Sequence, residues 1–261
     1  MCLLAFAWRV HPDFPLVLVG NRDEFHNRPA EPAHWWSAPE EILAGKDLQA
    51  GGSWLGLSRR GRFAVVTNYR EPGVPASGRR SRGDLVVDFV SSSVTAEEWM
   101  DELAENRDEY GGFNLVIGDG NQLHYLTNRS EGQRFLTPGI YGLSNHILDS
   151  PWPKVTLARE RLRDLLEDTR LSIESLFSII EDRTRPHDDD LPKTGVPLEW
   201  ERLLSSAFVV DRRYGTRAST VVVVGAVGEI ALAERRFGVD GACTGESRFD
   251  LRVTIEGCPR G

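Results

Sequence analysis

Two apolar runs near the amino terminus restrict the fold of this chain more than any other feature. Leu3-Leu4-Ala5-Phe6-Ala7 and Leu16-Val17-Leu18-Val19 are almost uninterrupted, and His11-Pro12-Asp13 marks a turn between them. Short continuous apolar runs bounded by turn residues read as strands buried on both faces of a sheet. The expectation is a hairpin of strands over 3–9 and 15–20. Antiparallel pairing then carries the next residues, Asn21-Arg22-Asp23-Glu24, back to the level of the chain's start, where Cys2 follows Met1.

Cys2 is the first candidate for chemistry. A small residue at position two permits removal of the initiator methionine, which would leave a thiol and a free α-amine on one residue. An α-amine with a reference pKa of ~7.7–8.0 is partly unprotonated near neutral pH and accepts the proton of an adjacent nucleophile. A returning Arg22 would favour the thiolate. The plainer reading is an inert buried cysteine beside a polar turn.

The rest of the chain alternates hairpins with helix pairs. Residues 25–52, rich in Pro, Trp, His, Gly and Ala, read as a long loop region with a short strand near Ile42-Leu43-Ala44. The Gly51-Gly52 pair allows close backbone approach. Strands follow at 54–58 and 62–67. Helices begin at Ser81-Arg82-Gly83-Asp84 and, through the capping box Thr95-Ala96-Glu97-Glu98, at 95–106. Strands are expected at 113–118, 122–127 and near 133–136, helices at 153–167 and 172–181, and strands at 207–210, 217–224, 229–234 and 248–253. Tyr214-Gly215-Thr216 reads as a turn. This order suits a layered α+β domain spanning residues 1–261, with antiparallel sheets stacked and helices outside.

Composition narrows the function. The 261 residues carry a formal charge of -8, which argues against non-specific nucleic-acid binding. No apolar run approaches a membrane span, and no secretory signal precedes the first strand. Three cysteines, Cys2, Cys243 and Cys258, have no metal-ligand spacing and fit a reducing, cytoplasmic setting. No cofactor is expected: His26, His34, His124 and His146 lack ligand spacing, and Thr184 to Asp190 reads as a solvated acidic loop.

Taken together, Met1-Cys2, Asn21-Arg22-Asp23-Glu24, Gly51-Gly52-Ser53-Trp54, Thr67-Asn68-Tyr69-Arg70, Gly142-Leu143-Ser144-Asn145 and Tyr214-Gly215-Thr216-Arg217-Ala218-Ser219-Thr220 resemble the NRDE family, that of the transport and Golgi organisation protein 2 homologues. The resemblance runs from residue 1 to about 235. It implies the four-layer αββα sandwich of the N-terminal nucleophile hydrolases, most similar to the cysteine acylases that cleave penicillin V and conjugated bile salts. By that resemblance Cys2 is the nucleophile, Arg22 and Asp23 orient and activate the thiol, Asn68 and Asn145 lie near the oxyanion and the amine, and Arg217 completes the polar network.

One departure matters. In the acylases the arginine and aspartate are separated, whereas Arg22 and Asp23 are adjacent, and adjacent side chains on a strand point to opposite faces. Each residue also has a plainer reading: Arg22 with Asp23 as a neighbouring pair, Asn68 and Asn145 as turn residues, and Arg217 as a structural ion. Trp35, Trp36, Trp54 and Tyr69 are candidates to line a substrate pocket, or else pack ordinarily. The expected activity is hydrolysis of an amide or thioester of a small acyl compound. The alternative is a non-catalytic carrier of haem, lipid or acyl-CoA on the same fold, or an interaction protein built on a retired hydrolase. Monomer and homodimer suit the strand pattern equally.

Overall fold

The leading hairpin is present and longer than expected. Strands β1 (Cys2–Trp8) and β2 (Leu16–Phe25) pair from Cys2 opposite Arg22 to Trp8 opposite Leu16. The Asn21-Arg22-Asp23-Glu24 run is therefore strand and not a turn. The structure, a computed structural model, describes residues 2–39, 41–73, 79–130, 134–167 and 171–253. Met1, Cys258 and the start of the strand expected near 133–136 lie outside the described residues.

The chain continues through β3 (Ala30–Trp35), β4 (Ile42–Asp47), β5 (Leu55–Ser58) and β6 (Phe63–Asn68). Helices α1 (Arg82–Ser91) and α2 (Ala96–Asn106) are followed by β7 (Phe113–Gly118), β8 (Leu123–Thr127), β9 (Arg134–Phe135) and β10 (Gly139–Leu143). Then come α3 (Pro153–Glu167), α4 (Ile173–Ile180) and α5 (Leu198–Leu203), and last β11 (Tyr214–Val224), β12 (Glu229–Phe237) and β13 (Cys243–Arg252).

Among the described residues the strands form two antiparallel sheets. One has the order β10-β1-β2-β11-β12-β13; the other is a meander from β3 to β9. Leu4, Phe6 and Leu18 of the first sheet meet Leu57, Val65 and Val116 of the second in a core between them. Leu3, Ala5 and Val19 face outward onto Val155 and Leu162 of α3 and Phe177 of α4. Ala64, Leu115 and Ile117 face outward onto Phe89 of α1 and Met100 of α2. These four layers make an αββα sandwich, the architecture that the sequence resemblance implies. No helix among the described residues is long and apolar enough to cross a membrane.

The expected capping box at Thr95 forms, and the helix start at Ser81 is a second one. Ser81 caps α1 with Asp84 reaching back, and Thr95 caps α2 with Glu98 doing the same. Four expectations are corrected. The stretch 25–52 holds the β3–β4 hairpin; β3 is an edge strand whose Pro32 lies in a register shift between Glu31 and His34, where a missing N–H is tolerated. Residues 207–210 are not a strand, although Val209 exchanges backbone and hydroxyl bonds with Thr216. Tyr214-Gly215-Thr216 belongs to β11, paired with Phe25, Glu24 and Asp23. The final strand begins at Cys243 rather than near 248.

Candidate active site

A cleft of ≈ 370 Å³ opens at the end of the β1–β2 hairpin, lined by Cys2, Arg22, Asp23, Trp54, Asn68 and the start of α1 at Ser81-Arg82-Gly83. Its walls come from both sheets. The loop before β5 reaches it because two glycines allow close approach: a Cβ on Gly52 would lie 2.5 Å from the Gly83 backbone.

The strand run inside the cleft sends its side chains in different directions, as alternation requires. Arg22 shares the inner face with Leu18 and, as its cross-strand partner, Cys2. It is 6% exposed, reaches across to β4 to pair with Asp47 at 2.9 Å, and lies 4.5 Å over the Trp54 ring. Asp23, 1% exposed, takes the outer face, where its Oδ1 accepts from the Thr216 hydroxyl at 2.7 Å. Asn21, also outward, donates to the carbonyls of Ile180 and Ala207 and accepts from Ser219. Glu24 turns to the Phe25 N–H and Arg28. The tetrapeptide thus pins the central strand to the layers on both sides. The second copy, Asn106-Arg107-Asp108-Glu109, closes α2 at the surface.

Arg217 occupies a bulge. β11 pairs Thr216 with Asp23 and Ala218 with Arg22, so Arg217 is the extra residue beside the Arg22–Asp23 step. Its Nη1 donates to the carbonyls of Phe25, His26 and Arg28, holding the chain where it leaves β2. It does not line the cleft. Asn145 is fully buried behind the cleft, and its amide donates to the Asn68 carbonyl at 2.8 Å. Ser144, next to it, donates to the Cys2 carbonyl at 2.8 Å. The structure therefore gathers Cys2, Arg22, Asp23, Asn68 and Trp54, with Asn145 and Arg217 one layer back.

The other aromatic candidates lie elsewhere. Trp36 is buried under α1 with its indole N–H on the Ala44 carbonyl. Trp35 carries the Arg59 guanidinium at 3.9 Å on the edge of the inter-sheet core. Tyr69 points into a separate cavity beside His146 and Trp152. No group of three or more His, Cys, Asp or Glu able to hold a metal ion occurs among the described residues.

The family model described as Transport and Golgi organisation 2 matches residues 1–238. The chain belongs to this family. It is 35% identical to the Transport and Golgi organization protein 2 homolog of Bos taurus, covering 90% of this chain and 92% of the relative. The human homolog is 33% identical over the same shares. Among solved structures, the Caenorhabditis elegans ortholog of N-acylethanolamine-hydrolyzing acid amidase superposes with a TM-score of 0.51 at 12% identity, covering 85% of this chain and 92% of that one. The C2A mutant of the conjugated bile acid hydrolase from Clostridium perfringens superposes with a TM-score of 0.50 at 10% identity, covering 97% and 98%. These likenesses show that this member of the Transport and Golgi organisation 2 family shares the fold of those two proteins.

Burial dominates the electrostatics of the family member's cleft. It pushes the Cys2 thiol up, with the Asp23 carboxylate adding to the rise; the amino-terminal charge, Arg22 and a hydrogen bond from the Asp23 backbone N–H oppose it. Burial likewise pushes the Asp23 carboxyl up, against the pull of Lys154 and the Thr216 hydroxyl. Asp47 is held below the usual carboxylate range: burial opposes the drop, but bonds from Arg28 and the Ala50 N–H outweigh it. Asp47, Ser144, Thr216 and Lys154 were absent from the sequence-based site. Their contacts bridge distant parts of the chain and leave no local pattern.

Proposed function

We propose that this chain is a cysteine N-terminal nucleophile hydrolase acting on an amide or thioester of a small acyl compound. One observation carries the reading: Cys2 stands on the wall of a cleft, cross-strand from Arg22, at the leading end of an N-terminal nucleophile hydrolase fold. A thiol whose pKa is raised is not a standing thiolate at neutral pH, so attack needs a base at the moment of reaction. After removal of Met1, the Cys2 α-amine is that base.

In this mechanism the α-amine takes the thiol proton and the sulfur adds to the substrate carbonyl. The Asn68 amide, on the cleft wall, donates to the oxyanion; losing such a donor typically costs ~2.7–4 kcal/mol of barrier. Collapse breaks the C–N or C–S bond, and the ammonium returns the proton to the leaving group. Water, deprotonated by the same amine, then releases the acid from the thioester. Arg22 steadies the thiolate, while Asn145 and Arg217 act from behind by fixing the strand ends that bear Asn68 and Asp23.

Arg28, Arg79, Arg80 and Arg82 also border the cleft, which favours a second reading: a carrier of an anionic ligand such as haem, a lipid or acyl-CoA, with no turnover. A thiol-reactive acyl probe separates the two. The hydrolase reading expects an adduct on Cys2 that Cys2→Ala lacks, and equal labelling of that variant rejects it. Haem titration followed by absorbance tests the carrier: no Soret shift at micromolar protein counts against haem.

A further inference from the structure

Lys154 is the second residue of α3, 5% exposed, and lies beneath the sheet on the side away from the cleft. Its Nζ is buried and has no hydrogen-bond partner among the described residues. A buried ammonium without a hydrogen bond is costly, so something must offset it. The charged groups that act on it come from four segments. Asp23 comes from β2, Cys2 from β1, Glu201 from α5, and Arg70 from the chain after β6.

Most neighbouring charges are already committed. Both Glu201 oxygens are engaged, Oε2 by Arg70 at 2.7 Å and Oε1 by the Thr194 N–H and hydroxyl. On α4, Glu174 is paired with Arg235 and Arg248, and Asp182 just beyond it with Arg161. The β10 segment Gly139-Ile140-Tyr141-Gly142-Leu143 brings no charged side chain. From β11 the Tyr214 hydroxyl donates to the Asp23 backbone carbonyl. Arg22 pairs with Asp47 on the inner face of the strand. On its outer face the Asp23 carboxyl, held by the Thr216 hydroxyl, lies within electrostatic reach of Lys154, whose neighbour Val155 packs in the same cluster as Leu3 and Val19 of the β1–β2 hairpin that carries Cys2 and Asp23.

We propose that Lys154 is a positioning residue of the Cys2 site, a cation under the strand floor that balances Asp23 and so keeps the Cys2 thiol ionisable. This rests on the reading of Cys2 as the reactive group. Burial lowers the Lys154 pKa to about 8, with Asp23 resisting the drop and Arg70 adding to it. The cation is therefore present below that pH and lost above it.

The test is the rate of iodoacetamide alkylation of Cys2, followed by peptide mass spectrometry on the full chain across pH, for wild type, Lys154→Met and Lys154→Arg. Below about pH 8 the wild type should react roughly three- to tenfold faster than Lys154→Met. Above that pH the two rates converge, because the lysine has become neutral. Lys154→Arg stays charged, so it matches wild type at low pH and exceeds it at high pH. A constant ratio at every pH is the mark of a packing defect and overturns the proposal, as do coincident profiles. If Lys154→Met folds poorly, Lys154→Arg decides alone: a high-pH rate equal to wild type overturns it. Alkylation needs no turnover, so a failed acylation experiment leaves this test standing, and a failure here leaves the hydrolase reading to its own experiment.

Discussion

Cys2 and Arg22 face one another across the β1–β2 pair, on the side of the sheet that borders the cleft. The guanidinium is held by Asp47 and lies over the Trp54 ring, and its charge favours the thiolate. Arg22→Ala removes a buried cation from next to the thiol. Alkylation of Cys2 at neutral pH should slow by about an order of magnitude. Asp47 keeps its 2.6 Å bond to Arg28, so the fold should survive. The pH–rate profile of iodoacetamide modification checks this.

Asn21 begins the same tetrapeptide but serves a different purpose. Its amide ties β2 to the carbonyls of Ile180 and Ala207, and its oxygen accepts from Ser219, all in the interior. Asn21→Ala strands those groups and should cost about 2–4 kcal/mol in urea unfolding. The alkylation rate of Cys2 in the folded protein should be unchanged.

Glu234 makes the fold's stability depend on pH. It is buried on β12 and accepts the Ala33 N–H at 2.7 Å, and burial pushes its pKa up to about 7. The folded state therefore holds a proton that the unfolded chain releases near the ordinary glutamate pKa of ~4.3. The stabilisation is complete below that value and fades as pH rises through about 7, a swing of about 3 kcal/mol. Glu234→Gln keeps the acceptor and removes the titration. Denaturation series at acid and mildly alkaline pH should show a flatter dependence for the variant and a relative gain above pH 7.

The two tryptophan environments predict opposite outcomes. Trp36 packs beneath α1, so Trp36→Ala should lose about 3–5 kcal/mol of stability and leave the cleft intact. Trp54 borders the cleft and stacks on Arg22; a Cβ on Gly45 would fall 2.2 Å from its ring. Gly45→Ala should displace that ring and slow Cys2 alkylation with a smaller change in stability. Urea midpoints and alkylation rates measured together separate the cases.

Much of this arrangement was legible in the residues. Continuous apolar runs marked the buried hairpin, a capping box marked α2, and strand alternation required Arg22 and Asp23 to diverge. Two strands were hidden for local reasons: β3 contains Pro32, and β10 is built on Gly139 and Gly142. The partners of the tetrapeptide were hidden for a different one. Asp47 ends β4 and Lys154 lies at a helix start, and only the stacking of layers brings either to β2. The resemblance put Arg217 in the polar network; the bulge that seats it beside the Arg22–Asp23 step shows in strand register and not in residue type.

The proposed hydrolase needs a polypeptide that begins, in its working form, with a cysteine bearing a free amine. Intact-mass measurement of the purified native protein tests it most directly. A mass lacking the initiator methionine, with an unmodified Cys2 at the front, is the predicted result; a chain that retains Met1 would contradict the account, because the amine that must take the thiol proton would then be bound in a peptide.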